Sequence, residues 1–158
     1  MALPPLVHYA TVAEYRSHYE RIYCRGNIQT FDGIRVYFKA SKFGHSFYES
    51  TAQDGRKDIF SWVRARRIDW IKATLENPKA ALFQGWNKDS CQYDATRRVA
   101  VVYEEFVVVV EMGLKQDGSL KANFVTCYQA DNSIRKIRSS PEWSRVTCLH
   151  LLGGSRCR

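Results

Sequence analysis

No Cys-x-x-Cys pair occurs among the five cysteines, Cys24, Cys91, Cys127, Cys148 and Cys157, and their number is odd. Structural zinc sites draw on closely spaced thiol pairs, and disulfide frameworks use cysteines in even numbers. Both are disfavoured, and reduced thiols in a cytosolic setting are expected. Cys148 and His150 stand two apart, but no second ligand pair accompanies them, so a terminal strand explains them better than a metal site.

Long apolar runs are missing too. The longest, FVVVV at 106–110, has the length of a strand, far short of the roughly 20 residues that cross a bilayer as a helix. The opening stretch, MALPPLVHYA, lacks a basic region followed by an apolar one, as a secretory signal requires. These absences predict a cytoplasmic protein with no membrane partner. Carboxylates are scarce: 16 Asp and Glu stand against 24 Lys and Arg, for a formal charge of +8. They do not form the pairs or clusters that divalent-metal sites use. Walker, GxGxxG, HExxH and GxSxG motifs are absent as well. No cofactor and no metal are therefore expected.

What is present suits a single domain over residues 1–158, with 45% hydrophobic and 13% aromatic residues and no repeat or linker. The cation surplus favours a polyanionic partner: nucleic acid, an anionic surface or an acidic protein. A merely soluble basic surface is the plain alternative.

The spacing of Val12, Tyr15, Tyr19, Ile22 and Tyr23 predicts an amphipathic helix over 11–25, closed by Gly26. Asp32-Gly33 signals a turn into the strand IRVYFKA (34–40), with Ile34, Val36 and Phe38 on one side. A long helix is predicted from Arg56 to Glu76, capped by Asp54 and stopped by Asn77-Pro78. Its apolar face carries Arg67 in the middle and Arg66 at the border. An arginine there is either a snorkelling side chain or a guanidinium facing an anion-binding cleft. The second half is strand-rich: LFQGW (82–86), RRVAVVYE (97–104), EFVVVVEMGL (105–114) and LKANFVTCYQA (120–130), with an Asp117-Gly118 hairpin before the last. Strict alternation there puts Phe124, Thr126 and Tyr128 on one side, Val125 and Cys127 on the other. The order predicts an α+β fold with helices on one face of a sheet. Residues 131–158 form a basic segment in which Arg135, Lys136, Arg138 and Arg145 surround Trp143. Such a mix can grip phosphates and stack on a base, or simply be solvated.

His45, within FGHSFYES (43–50), is a well-placed histidine among the four, with acid–base chemistry near neutrality. It reads as a packed residue, a metal ligand or a catalytic base, and the lack of spaced partners weighs against the metal. Together with helix-borne arginines and the hydroxyls of Thr126 and Tyr128, it suits RNA cleavage in which the ribose 2′-OH is the nucleophile. The protein then supplies only a base, an acid and cations for the charge growing on phosphorus. DNA lacks that hydroxyl, so only RNA would be cut.

FGHSF, RKDIFSWVRARRIDWIKATLENP, the valine-rich strand and FVTCY, in that order over residues 34–130, resemble the phage-associated nuclease domains of the barnase, EndoU, colicin and RelE-like superfamily. The resemblance implies N-terminal helices packed on a curved, roughly four-stranded antiparallel sheet. It implies a toxin-like or phage-borne endoribonuclease, often directed at transfer RNA and independent of metal, that leaves a 2′,3′-cyclic phosphate. His45 would be the base, Arg67 the phosphate clamp with Arg64 and Arg66 beside it, and Thr126 and Tyr128 the late-strand hydroxyls. Outside the matched region, Arg135, Lys136 and Arg138 are candidate nucleic-acid contacts from their charge alone, and if the chain is a toxin an acidic immunity protein should occlude the basic cleft. Two other readings stay open: a nucleic-acid-binding module without chemistry, and a phage protein that inhibits a host factor.

Overall fold

The computed structural model describes residues 3–50 and 58–153. Thr11 opens the first helix with a reciprocal cap. Its hydroxyl accepts from the Glu14 amide, and the Glu14 carboxylate accepts from the Thr11 amide, satisfying donors that a helix start leaves open. Helix α1 (Val12–Tyr19) continues into a π-helical turn, Glu20–Cys24. Gly26 then turns back so tightly that a Cβ there would lie 2.0 Å from the Ile22 carbonyl oxygen. Tyr15, Tyr19 and Tyr23 are all buried, and each phenol donates to a carbonyl, of Val7, Lys39 and Ile68 respectively. Buried hydroxyls need such partners, so this face of the helix is both apolar and pinned.

Strands β1 (Ile28–Gln29) and β2 (Arg35–Tyr37) follow, then helix α2 (Lys42–Ser46). Strand β3 (Tyr48–Glu49) pairs with β4 (Ile59–Phe60), and helices α3 (Trp62–Arg66) and α4 (Ile68–Glu76) come next. Over its described part, 58–76, the single helix expected from Arg56 to Glu76 is a strand and two helices. Ile59 and Phe60 find an extended partner, which suits branched and aromatic residues better than a helix does. Ser61 caps α3 by accepting from the Arg64 amide at 3.3 Å, and Arg67 (φ −96°, ψ 20°) breaks the chain before α4. Asp54, the expected cap, lies outside the described residues.

Then come β5 (Ala81–Phe83), β6 (Gly85–Asn87), β7 (Gln92–Asp94), β8 (Val99–Tyr103), β9 (Phe106–Leu114), β10 (Leu120–Gln129), α5 (Ile134–Arg138) and α6 (Arg145–Gly153). Cys148 and His150 therefore lie on a helix, not on a terminal strand. The main sheet runs β1-β2-β10-β9-β8-β5, while β6 and β7 form a separate hairpin. The class is α+β as expected, but the sheet has six strands rather than about four and is mixed, because β2 runs parallel to β10. That pairing joins segments far apart in the chain, which local alternation does not reveal.

The main core lies between the sheet and α1, α2, α4 and α6; Phe106, Val108 and Val110 face it from β9. Val107 and Val109 face the other side, where Ile134 and Ile137 of α5 cover part of a smaller apolar layer. In β10 the pairing register shifts between Phe124 and Thr126. A bulge inserts one residue and breaks strict alternation. Phe124 accordingly packs in the main core with Cys127, while Val125 and Tyr128 pack on the opposite face. The expected grouping of Phe124 with Thr126 and Tyr128 is corrected by that one residue.

Candidate nucleic-acid interface

Strand β2 pairs with β10 only along Lys121–Asn123. Beyond that point the outer edge of β10 would be open, and open edges carry unpaired backbone groups. Helices α2 and α3 cover it. The buried Ser46 hydroxyl donates to the Val125 carbonyl at 3.1 Å, and Arg64 Nη1 donates to the Ser46 carbonyl at 3.1 Å. Phe43 and Phe47 anchor α2 in the core. His45 stands on the exposed side of that helix, next to the residue that holds Arg64. It therefore sits on a short helix just past the strand.

Tyr128 lies farther along β10 and packs on the opposite face of the sheet. Burial raises its phenol above the ordinary range, while the Arg98 and Arg64 cations pull it the other way. Burial likewise pushes the neighbouring Cys127 thiol up to about 12, again against the pull of Arg64. Arg98, just before β8, lines the same hollow as Tyr128, while Arg64 of α3 acts on the phenol through its charge. Arg98 holds φ at 52°, a left-handed conformation that non-glycine residues seldom adopt. Thr126 is buried and pairs with Val109, on the Tyr128 side of the sheet. Lys136 of α5 joins Tyr128 and Arg98 around a hollow of about 240 Å³, and Trp86 and Tyr93 stand at its rim.

The other expected residues are elsewhere. Arg67 Nη1 donates to the Val63 carbonyl at 2.8 Å and its guanidinium lies 4.9 Å from the centre of the Trp70 ring. It finishes α3 and stacks, much as a snorkelling arginine would. The Arg66 carbonyl accepts from the Val7 amide at 2.8 Å, where the N-terminal segment crosses α3. Arg138 is tied to the Glu104 carbonyl at 2.6 Å, and Arg135 is exposed on α5. Arg145 pairs with Asp32, and Trp143 donates its indole N–H to the Ala95 carbonyl while packing against the core. The C-terminal cations thus do not form one patch; Lys136 alone of the four lines the hollow with Tyr128.

Arg98, Trp86 and Tyr93 were not singled out by sequence reasoning. The Arg97-Arg98 pair and the Gly85-Trp86 step are visible in the chain, but the ladder of β6 with β7 sets Trp86 against Tyr93, and only the folded chain brings both, with Arg98, to the hollow of Tyr128. A second polar chain also went unforeseen. Buried His18 pairs through Nε2 with Asp69 at 2.8 Å and through Nδ1 with the Tyr9 hydroxyl at 2.9 Å. Among the described residues, no three His, Cys, Asp or Glu side chains gather as a metal-binding group, and no helix is long and apolar enough to cross a membrane.

Compared with known proteins, the chain matches no family model, no curated protein and no solved structure.

Proposed function

We propose that the protein is an endoribonuclease that grips the RNA backbone at Tyr128 and cuts it by attack of the ribose 2′-OH on the adjacent phosphorus. The observation that carries this is the hollow that Tyr128 shares with Arg98 and Lys136, with the Arg64 charge acting on the same phenol. Cations and a hydroxyl donor around one hollow suit the oxygens of a phosphodiester, and a guanidinium fork such as that of Arg98 binds such oxygens in pairs. In the reaction, His45 takes the proton of the 2′-OH, the 2′-oxygen bonds to phosphorus, and the bond to the 5′-oxygen breaks. The leaving oxygen takes a proton from Tyr128 or from His45 in its protonated form. The products are a 2′,3′-cyclic phosphate and a 5′-hydroxyl, and no metal is needed. Arg64 and Arg98 stabilise the extra charge on phosphorus, and Thr126 positions the strand. Arg64 thereby takes the clamp role first given to Arg67. The family resemblance, transfer RNA as the target, and an acidic immunity protein over this cationic edge all belong to this proposal.

The test is to incubate the protein with total transfer RNA in excess EDTA, beside His45→Ala. Discrete fragments with cyclic-phosphate ends, lost in the variant, are expected; an acid–base group supplies about 100-fold to 10,000-fold. RNA left intact at every protein concentration would sink the nuclease.

A binding module without chemistry is the second reading, and the raised Tyr128 phenol favours it. A phenol raised by burial gives up its proton less readily, which weakens it as a general acid. Salt-sensitive binding of RNA and DNA alike, with no cleavage, would establish it.

A further inference from the structure

The β6–β7 hairpin presents two aromatic side chains to solvent. Trp86 and Tyr93 stand directly opposite each other in its ladder and meet edge to face at 5.2 Å. They remain 48% and 38% exposed, so the pair contributes little to either core. Cations surround it. Lys88, Arg97 and Arg98 line a hollow of about 410 Å³ beside Trp86, and Arg98 with Lys136 continues along the adjoining hollow to Tyr128. Two carboxylates lie close. Asp89 is on the rim. At Asp94 burial opposes ionisation, but hydrogen bonds from Thr96 and Asn87 and the charge of Arg97 outweigh it and hold the carboxyl below its ordinary range. Four cations against two carboxylates leave the surface positive.

The hairpin is also fixed in place. A Cβ at Gly85 would lie 2.2 Å from the Arg98 carbonyl oxygen and 2.4 Å from that of Arg97. Only glycine lets the hairpin rest on that turn, so the aromatic pair and the two arginines form one unit.

We infer that this hairpin is a stacking platform for unpaired bases of single-stranded RNA, whose backbone runs past Arg98 and Lys136 to Tyr128. The inference rests on the reading of Tyr128 as the phosphate-gripping centre and names its substrate class. Every base has a flat face that an exposed indole or phenol can cover, whereas an A-form duplex keeps its bases stacked inside and offers chiefly sugar and phosphate. An acidic protein would satisfy the cations but would leave the aromatic faces unused.

The experiment measures binding of a short 2′-O-methyl RNA single strand and of the matching duplex by fluorescence anisotropy. That probe lacks the attacking hydroxyl, so binding is read apart from cleavage. Trp86→Ala is expected to weaken the single strand by about 5-fold to 150-fold, the range for one stacked base. Trp86→Phe keeps an aromatic face and should retain most of the affinity. The duplex should bind more weakly and respond little to either change. Unchanged affinity in Trp86→Ala, or a duplex that binds as well and loses as much, overturns the platform. A protein that shows the expected pattern yet cuts no unmodified RNA keeps the platform and loses the nuclease. One that cuts RNA but ignores Trp86→Ala does the reverse.

Discussion

The Arg64 guanidinium donates to the Ser46 carbonyl at 3.1 Å, and Ser46 in turn donates its hydroxyl to the Val125 carbonyl of β10. The charge on α3 is thus tethered to the same strand whose Tyr128 and Cys127 feel it. Arg64→Ala should lower RNA cleavage about 10-fold to 150-fold, the range for hydrogen bonds to a charged group. Arg64→Lys keeps the charge but not the fork, and should fall between the two. Initial rates on transfer RNA, with melting temperatures as the fold control, decide this. Full activity in Arg64→Ala would move the phosphate clamp elsewhere.

The buried thiol and phenols predict an alkaline limit. Cys127 is raised by burial from 9.0 to about 12, and burial raises Tyr19 and Tyr23 as well. Above pH 9 the unfolded chain loses the Cys127 proton while the folded chain keeps it. Stability is therefore full below the unfolded value and falls as pH rises past it, by roughly 1 kcal/mol per pH unit for one such group. Urea midpoints at increasing pH should show the decline, and Cys127→Ala should make it shallower. A midpoint unchanged to pH 11 would contradict the burial of these groups.

Local signals carried the parts of the fold that depend on near neighbours. Thr11 and Gly26 bound the first helical segment, and Asp117-Gly118 makes its hairpin, with Gly118 at φ 86°. Ile34, Val36 and Phe38 are all buried as their alternation implied. The site was less legible because its members meet through long-range pairing. The parallel run of β2 beside β10 stops at Asn123 and leaves the edge that Arg64 occupies. The register shift at Val125 sets which side Tyr128 faces, and nothing in FVTCY announces it. Arg67 stood out in the sequence for sitting on an apolar face, yet its own helix and Trp70 account for it. Arg98 stood out not at all, because its backbone conformation and its closeness to Tyr128 exist only in the fold.

The Tyr9–His18–Asp69 chain should act as a clasp for the N-terminal segment. The Tyr9 amide also donates to the Tyr15 hydroxyl, and the Val7 amide donates to the Arg66 carbonyl. Breaking the clasp with Tyr9→Phe or Asp69→Asn should speed hydrogen exchange at the Val7 amide. His18→Ala, which leaves a buried space and two unpaired groups, should cost about 1–3 kcal/mol of global stability. RNA cleavage at equal folded fraction should stay near that of the parent. A drop in rate without a drop in stability would give the clasp a part in the reaction.

Gly85→Ala tests whether the aromatic hairpin and the arginine turn work as one unit. The added methyl would meet two backbone oxygens, at 2.2 Å and 2.4 Å. Backbone cannot swing aside as a side chain does, and Arg98 already holds a left-handed φ of 52°. Either the hairpin lifts or Arg98 shifts, and overpacking of this kind costs about 1–3 kcal/mol. Gly113→Ala is the control, because its Cβ would meet only the flexible Lys121 side chain, at 3.5 Å. Gly85→Ala should therefore lower the melting temperature and weaken single-stranded RNA together, while Gly113→Ala changes neither by much. A Gly85→Ala protein that melts like the parent would mean the hairpin does not rest on the Arg97-Arg98 turn. If it melts lower but binds RNA unchanged, the hairpin supports the fold without touching the ligand, and Trp86→Ala should then be silent as well.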